Sequence, residues 1–379
     1  MAVFMVSTSN APADFFDFNL KYLFYVGLWP REDWPPTLNW LYRIYEVTLM
    51  LFAFAFLTST GIGMYMSKDD VITFLTNMDK AIVAYNFTIK IVIFFFKRKH
   101  IRVLISEILH SGDKIDKSRQ KLMMIHVVAI SGMITTIIGS FQTFAQMKGE
   151  MVVDAWLPFD PRKNMWTVFI AGQILGVLFV VPVIYRAIAI QGIVCSIIMY
   201  MCDQLIELQG RLKALTYSVE NESYMREEFK DIIRKHIRLM GYSKSLKSEF
   251  KEYFLVQNLA VTTELCLNAL MVTIVGLEQK NHLISFMAFL IVALFNAYIF
   301  CHLGNELMDQ SAGIANAAYE STWTSWPIDM QKDLLIIITV AQKSFKLSAG
   351  GLANMSMQTF AEALYNGYSI FAVLRDVVD

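Results

Sequence analysis

The chain has 379 residues, of which 55% are hydrophobic and only 17% are charged, and its mean hydropathy is +0.44. Soluble domains carry about 25% charged residues, so this composition excludes an ordinary soluble protein and predicts an integral membrane protein. The 33 basic and 33 acidic residues cancel, and the net charge therefore gives no indication of a nucleic-acid partner.

Seven stretches are candidate membrane spans, because about 20 apolar residues cross a hydrocarbon core of about 30 Å. They lie at 41–65, 71–96, 122–147, 166–186, 254–277, 283–303 and 355–375. No basic segment with a small-residue cleavage site precedes the first span, so no cleavable signal peptide is expected. The first span is therefore expected to insert as its own signal.

Lysine and arginine are distributed unevenly between the connecting segments. Eight lie between 97 and 121 and ten between 211 and 251, whereas the alternate loops carry Lys68, then Lys148, Arg162 and Lys163, then Lys280. Cytoplasmic segments are enriched in these residues. The pattern predicts a cytoplasmic N-terminus and an extracellular C-terminus.

The fourth apolar stretch continues well past the membrane. Residues 166–214 contain few helix breakers and would extend about 70 Å as a helix, so a projection into the cytoplasm is predicted, with a bend at Pro182. A second long helix is expected at 224–254. It carries an apolar stripe of helical spacing, formed by Phe229, Ile232, Ile233, Ile237 and Met240. Because such a stripe needs a partner surface, a helical assembly domain is predicted beneath the membrane.

Residues that carry chemistry show no catalytic or metal-binding pattern. The four cysteines form no CxxC pair, the six histidines are scattered, and no glycine-rich phosphate loop occurs. Neither an enzyme, a metal site nor a cofactor is expected.

Charged residues within the spans are expensive in hydrocarbon and tend to face protein or water. Glu46 and Lys90 lie at similar depth in the first two spans and are expected to pair. Asp79, Lys80 and Glu264 are the other three, and structural ion or hydrogen-bond partners are the favoured interpretation for all five.

The last span has polar residues on one side. Steps of three and four residues select Thr359, Glu362, Asn366, Ser369, Val373 and Asp376. A polar stripe of this kind suits an aqueous pore, although a contact with another helix through polar side chains is the alternative. Val373 interrupts the stripe near its outer end, and apolar rings can gate pores by dewetting.

The C-terminal region carries three short motifs: Cys-His-x-Gly-Asn-Glu at 301–306, Tyr-Glu-Ser-x-Trp at 319–323, and Tyr-Ser at 368–369. Together they resemble the C-terminal signature of insect odorant receptors. His302 departs from the aromatic residue that the family commonly has there. Upstream of residue 301 the resemblance depends on length, span number, orientation and a "GLWP" element at 27–30.

The resemblance implies a subunit of a tetrameric, ligand-gated, non-selective cation channel. The expected partners are the odorant receptor co-receptor, a small and mostly apolar volatile, membrane lipid and cations, and the expected location is the plasma membrane of olfactory sensory neuron dendrites. The modest loop between spans four and five and the ending "YSIFAVLRDVVD" favour an odour-tuning subunit over the co-receptor. The alternatives are a gustatory-type chemoreceptor and a G-protein-coupled receptor-like sensor without its own pore.

The expected fold class is an all-α membrane protein with seven transmembrane helices and helical cytoplasmic extensions that form an anchor domain. The expected divisions are a cytoplasmic N-terminal segment at 1–40, six spans at 41–303 with anchor helices at 187–253, an anchor segment at 304–350, and a pore-lining helix at 351–379.

The resemblance also implies an odorant pocket in the outer half of the bundle. Mapping by depth gives Phe74, Met78, Thr136, Gly139, Ser140, Thr143, Phe144, Gln173, Ile174, Phe286, Phe289 and Leu290 as expected ligand contacts. No carboxylate is placed to anchor an amine, except Asp79, so a neutral ligand is expected. The six stripe residues of the last span are expected to line the pore, with Val373 at the gate.

Overall fold

The computed structural model describes residues 12–115, 117–275 and 280–378, and helices make up nearly all of these ranges. The helices are α1 (Pro12–Tyr25), α2 (Pro36–Met66), α3 (Val71–Leu109), α4 (Lys117–Met147), α5 (Met165–Phe179), α6 (Arg186–Ala214), α7 (Glu222–Val275), α8 (Lys280–Tyr319), α9 (Ile328–Ala341) and α10 (Met357–Val378). A single turn of 3₁₀ helix, Trp323–Ser325, precedes α9, and two short strands, β1 (Ser348–Ala349) and β2 (Ala353–Asn354), precede α10.

Five segments of the described chain are long and apolar enough to cross a membrane: α2, residues 127–144 of α4, the continuous run through α5 and α6, α7, and residues 290–319 of α8. Helices α3 and α10 also coincide with predicted spans, but α3 carries Asp79, Lys80 and Lys90, and α10 carries its polar stripe. The helical fold is as predicted. The orientation across the membrane stays a prediction.

Helix starts follow local capping chemistry. The Asp70 carboxylate accepts hydrogen bonds from the Ile72 and Thr73 amides at the start of α3. Asn164 and Thr167 form a reciprocal capping box at the start of α5, in which each side chain satisfies a backbone amide that the helix leaves unpaired.

The predicted long helix is present and contains a local widening. A π-helical segment, Val180–Tyr185, joins α5 to α6, so that the run is continuous from 165 to 214. Pro182 lies inside this segment. Proline has no amide proton and clashes with the carbonyl four residues earlier, which accounts for the irregular turn at the predicted bend.

The predicted cytoplasmic region is built around α6. Residues Ala187–Cys202 of α6 are buried on every side, against α1, α4, α7 and α8. In α7, Phe229 and Ile232 of the apolar stripe are buried, whereas Ile237 and Met240 are 63% and 37% exposed in the single chain. The buried face turns instead through His236 and Leu239. Burial lowers the pKa of His236, so its imidazole stays neutral at physiological pH.

Asp113, between α3 and α4, is the centre of a buried ionic cluster. Its carboxylate lies 2.6 Å from Arg238 Nη2 and 3.4 Å from Lys235 Nζ, and it accepts a hydrogen bond from the Tyr200 hydroxyl. Lys235 also contacts Glu207 at 2.9 Å. Burial and the neighbouring carboxylate raise the pKa of Tyr200, which therefore remains a neutral donor. The cluster joins α6, α7 and the α3–α4 connection.

The predicted pairing of Glu46 with Lys90 is wrong. The Glu46 carboxylate accepts a hydrogen bond from Arg98, and Lys90 donates to the side-chain oxygen of Gln257. The two side chains lie at similar depth but point in different directions. Lys90 points toward α7, where its ammonium group also lies 4.8 Å from the ring centroid of Tyr253.

A small β-hairpin sets the start of α10. Gly350 and Gly351, between β1 and β2, have φ values of 62° and 83°, which glycine adopts without a steric penalty. The Gly350 amide donates to the carbonyl of Lys251 on α7 at 2.8 Å, and the Met355 amide donates to the Leu347 carbonyl at 2.9 Å. The hairpin is thereby fixed to α7 immediately before α10 begins.

Candidate functional site

A cavity of about 80 Å³ lies between α2, α3, α4, α5 and the loop that follows α4. Its wall is mainly apolar, and Phe56 and Phe179 stack there with ring centroids 4.5 Å apart. Its polar lining consists of Lys80, Gln142, Gln146 and Glu150. An apolar chamber with a few polar groups is the usual form of a small-molecule site.

The loop over this cavity is held by hydrogen bonds to the bundle. Lys80 donates to the Val152 carbonyl, the Asp154 amide donates to Asn77 Oδ1 at 3.1 Å, and the Trp156 amide donates to the Ser59 carbonyl at 2.9 Å. Three separate attachments to α2 and α3 make the loop a fixed wall of the cavity.

Glycine brings the two glutamines of α4 onto α5. Gln142 Nε2 donates to the Gly172 carbonyl at 2.7 Å. Gln146 Nε2 lies so close to Gly172 that a Cβ atom there would overlap it. The spacing Gly172–Gly176 on α5 matches Gln142–Gln146 on α4, and these four positions form one side of the cavity.

The structure places the residues predicted to contact a ligand outside the lining of this cavity. Phe74 and Met78 pack in the cluster formed by Leu75, Leu267 and Met271. Most of the others are exposed or partly exposed, namely Thr136, Gly139, Ser140, Thr143, Phe144, Gln173, Ile174 and Leu290. The side chains of Phe286 and Phe289 lie outside the described residues.

Gly139 alone of that predicted set lines a second cavity, of about 90 Å³, with Thr135, Gln142, Val180 and Ile184. On α4 and α5 the cavity-facing positions are neighbours of the predicted ones, so the two sets differ by a rotation about the helix axes. In the sequence, the i, i+4 repeats Gln142–Gln146 and Gly172–Gly176 were the pattern that could have identified the cavity-lining faces of α4 and α5. Ligand contact by the predicted residues remains a prediction.

Helix α10 presents its polar stripe away from its own bundle. It packs on α7 through Gly367, which faces Leu265, and on α8 through Phe360, whose ring centroid is 5.8 Å from that of Tyr298. Glu362 and Asn366 are exposed, and Val373 is 64% exposed. Thr359 and Ser369 are partly exposed, and the Asp376 side chain lies outside the described residues.

The exposed surface of α10 has two flanks. The polar stripe borders a groove of about 260 Å³ against α7, which is also lined by Asn258 and Thr262. The other flank carries Leu364, Tyr365 and Tyr368, of which the two tyrosines are 70% and 69% exposed. Over the described part of α10, this chain leaves most of the stripe uncovered.

No group of three or more histidine, cysteine, aspartate or glutamate side chains suited to a metal ion occurs in the described part of the chain.

The long apolar helices are those of a multi-pass membrane protein. The fold matches that of the solved insect olfactory receptor OR5 from Machilis hrabei, with a TM-score of 0.78 and 14% identity over 96% of this chain and 98% of that one. Its complex with eugenol matches with a TM-score of 0.76 over the same shares of both chains. At this identity the likeness shows the fold.

The 7tm Odorant receptor family model matches residues 70–368, and the chain belongs to this family. The resemblance predicted from the C-terminal motifs is thereby confirmed. Odorant receptor 30a of Drosophila melanogaster is 29% identical over 170 residues, which are 45% of this chain and 44% of the relative. Odorant receptor Or2 of Anopheles gambiae is 27% identical over 150 residues, 40% of this chain and 39% of the relative. These matches span less than half the length of either relative.

Proposed function

We propose that this chain is the odorant-binding subunit of a ligand-gated, non-selective cation channel of the plasma membrane. The observation that carries the proposal is the uncovered polar stripe of α10, which in an assembly of several subunits would line a common aqueous path. The parts of α7 and α9 that we propose to be cytoplasmic offer apolar surfaces for that assembly. Leu335 and Ile336 on α9 and Ile237 on α7 are all more than 60% exposed, although they are apolar.

The proposed partner is the odorant receptor co-receptor, and the proposed orientation places the N-terminus and α9 in the cytoplasm. The cavity beside Phe56 and Phe179 is the proposed odorant site. Its apolar wall suits a volatile with few polar groups, and the related receptor OR5 has been solved with eugenol. We place the complex in the dendrites of olfactory sensory neurons.

Expression of this chain with the co-receptor is expected to give odour-evoked cation current within milliseconds and without added nucleotide. The chain alone is expected to give little current, because its polar stripe and apolar cytoplasmic surfaces need partner subunits. Whole-cell recording with a panel of small ketones, esters, alcohols and aromatics measures both. The co-receptor expressed alone is the control, and block by a non-hydrolysable GDP analogue would contradict the proposal in favour of a sensor that has no pore.

Replacement of Val373 by threonine is expected to raise the current without odorant, because a polar side chain of similar size eases wetting of an apolar constriction.

Replacement of Glu362 by glutamine is expected to reduce conductance or calcium permeation, because Glu362 lies about 16 Å deeper on the same stripe and its charge attracts cations. Leu364→Met on the other flank is the control. Unchanged basal current and permeability in both stripe variants, at equal surface expression, would show that the stripe faces protein.

A further inference from the structure

Two side chains beside the cavity that Phe56 and Phe179 line can donate hydrogen bonds to a ligand, those of Lys80 and Gln146. The ammonium group of Lys80 has three protons and gives one to the Val152 carbonyl. Gln146 Nε2 is buried and has no hydrogen-bond partner among the described residues. The Gln142 amide is already engaged by the Gly172 carbonyl. Two side chains beside the same cavity therefore retain donor capacity.

Two acceptors near the cavity are already engaged by side chains of this chain. The Asp154 carboxylate is taken up by Arg162, at 2.6 Å, and the Val152 carbonyl is taken up by Lys80. Glu150 belongs to the lining, but it is exposed and lies in the loop that follows α4. A buried donor without a partner is costly, and a ligand that supplies an acceptor removes this cost.

We infer that this cavity selects small neutral ligands that carry a hydrogen-bond acceptor, such as a carbonyl oxygen, with Gln146 as the determinant of that preference. The inference rests on the proposed function, because it concerns the same odorant site. The end of the Gln146 amide that is buried without a partner is its nitrogen, and this favours an acceptor on the ligand over a hydroxyl donor.

The size of the cavity sets the size of the ligand. A cavity of about 150 Å³ holds benzene, and this one is about 80 Å³. The fit is therefore expected to worsen with ligand size, from butanone through pentanone to acetophenone. Because the stacked rings of Phe56 and Phe179 form one side of the cavity, an alkyl chain is expected to lie against them with the oxygen toward α4.

The test compares ketones with alkenes in which a methylene group replaces the carbonyl oxygen. The pairs are 2-butanone and 2-methyl-1-butene, 2-pentanone and 2-methyl-1-pentene, and acetophenone and α-methylstyrene. They are applied to cells that express the full chain with the co-receptor. We expect at least one ketone to open the channel at a concentration about tenfold lower than its alkene, as a hydrogen bond to a buried donor implies.

Gln146→Leu is expected to remove this discrimination, and Gln146→Glu, which keeps the size and replaces the donor by an acceptor, is expected to remove it too. Gly172→Ala should act in the same direction because its methyl group displaces the amide. Val177→Ala, on the exposed side of α5, is the matched control and should retain the discrimination. Each variant is compared at equal surface expression.

Equal potency of ketone and alkene in the native chain would overturn the inference, as would a preference for pentanoate or pentanol over pentanone. The inference is also overturned if other odorants open the channel but no ketone does, or if Gln146→Glu reaches the surface and still prefers ketones. In all these outcomes the channel still opens to odorants. Failure of every odorant at normal surface expression would instead overturn the proposed function.

Discussion

Gly304→Ala is expected to abolish odour-evoked current. A Cβ atom at this position of α8 would collide with the backbone carbonyl of Met355, and it would also lie 3.1 Å from the Met355 Cβ atom. A side-chain rotation cannot relieve a collision with backbone, so the segment that leads into α10 has to move. Because Met355 lies two residues before α10, this movement displaces the polar stripe as well.

The measurement for Gly304→Ala is odorant current together with surface expression in cells that also express the co-receptor. Gly210→Ala on α6 is the matched control, because nothing lies within 4 Å of its added methyl group and alanine favours a helix by about 1 kcal/mol over glycine. The control is expected to retain full current. Equal currents from the two variants would show that the contact between α8 and the hairpin has no part in positioning α10.

Asp113→Asn is expected to destabilise the helices packed around α6 by about 2 kcal/mol, since Arg238, whose side chain is 34% exposed, loses a hydrogen bond to a charged partner. Lys235 is 5% exposed and keeps Glu207 as a partner, whereas the described acidic contact of Arg238 is Asp113 itself. The amide oxygen of asparagine can still accept a hydrogen bond from the Tyr200 hydroxyl, so the substitution removes the negative charge of residue 113 and changes its shape little.

Thermal stability of the detergent-solubilised protein, followed by the loss of monodisperse material on heating, measures this effect. Asp231→Asn is the control, because Asp231 also binds an arginine, Arg211, but is 57% exposed. An exposed pair contributes about 0 to 1 kcal/mol. Similar stability losses for the two variants would contradict a central role for Asp113.

The arrangement of helices along the chain was largely predictable, because length and apolar content are sufficient to mark a span. The continuous run from 165 to 214 followed from the absence of helix breakers, and Pro182 marked its irregular turn. The family followed from short C-terminal motifs. These properties depend on the order of residues along one helix and not on which neighbour each helix meets.

The lining of the cavity was not predictable in the same way. In a membrane protein the lipid-facing side and the core-facing side of a helix are both apolar, so periodicity gives little contrast between them. For this reason the predicted faces of α4 and α5 were rotated from those that line the cavity. Depth also failed for Glu46 and Lys90, since it does not fix the direction of a side chain around the helix axis.

The π-helical turn at Val180–Tyr185 has a mechanical consequence. Such a turn holds one residue more than an α-helical turn, and an α-helix advances about 100° per residue. Returning this segment to regular α geometry would therefore rotate α5 by about 100° relative to α6, with no change in either helix. Phe179, just before the turn, and Val180, its first residue, border the cavity, while α6 after the turn is buried on all sides by its neighbouring helices. A rotation of α5 that starts at the cavity would thus change the geometry of this turn before it could move α6.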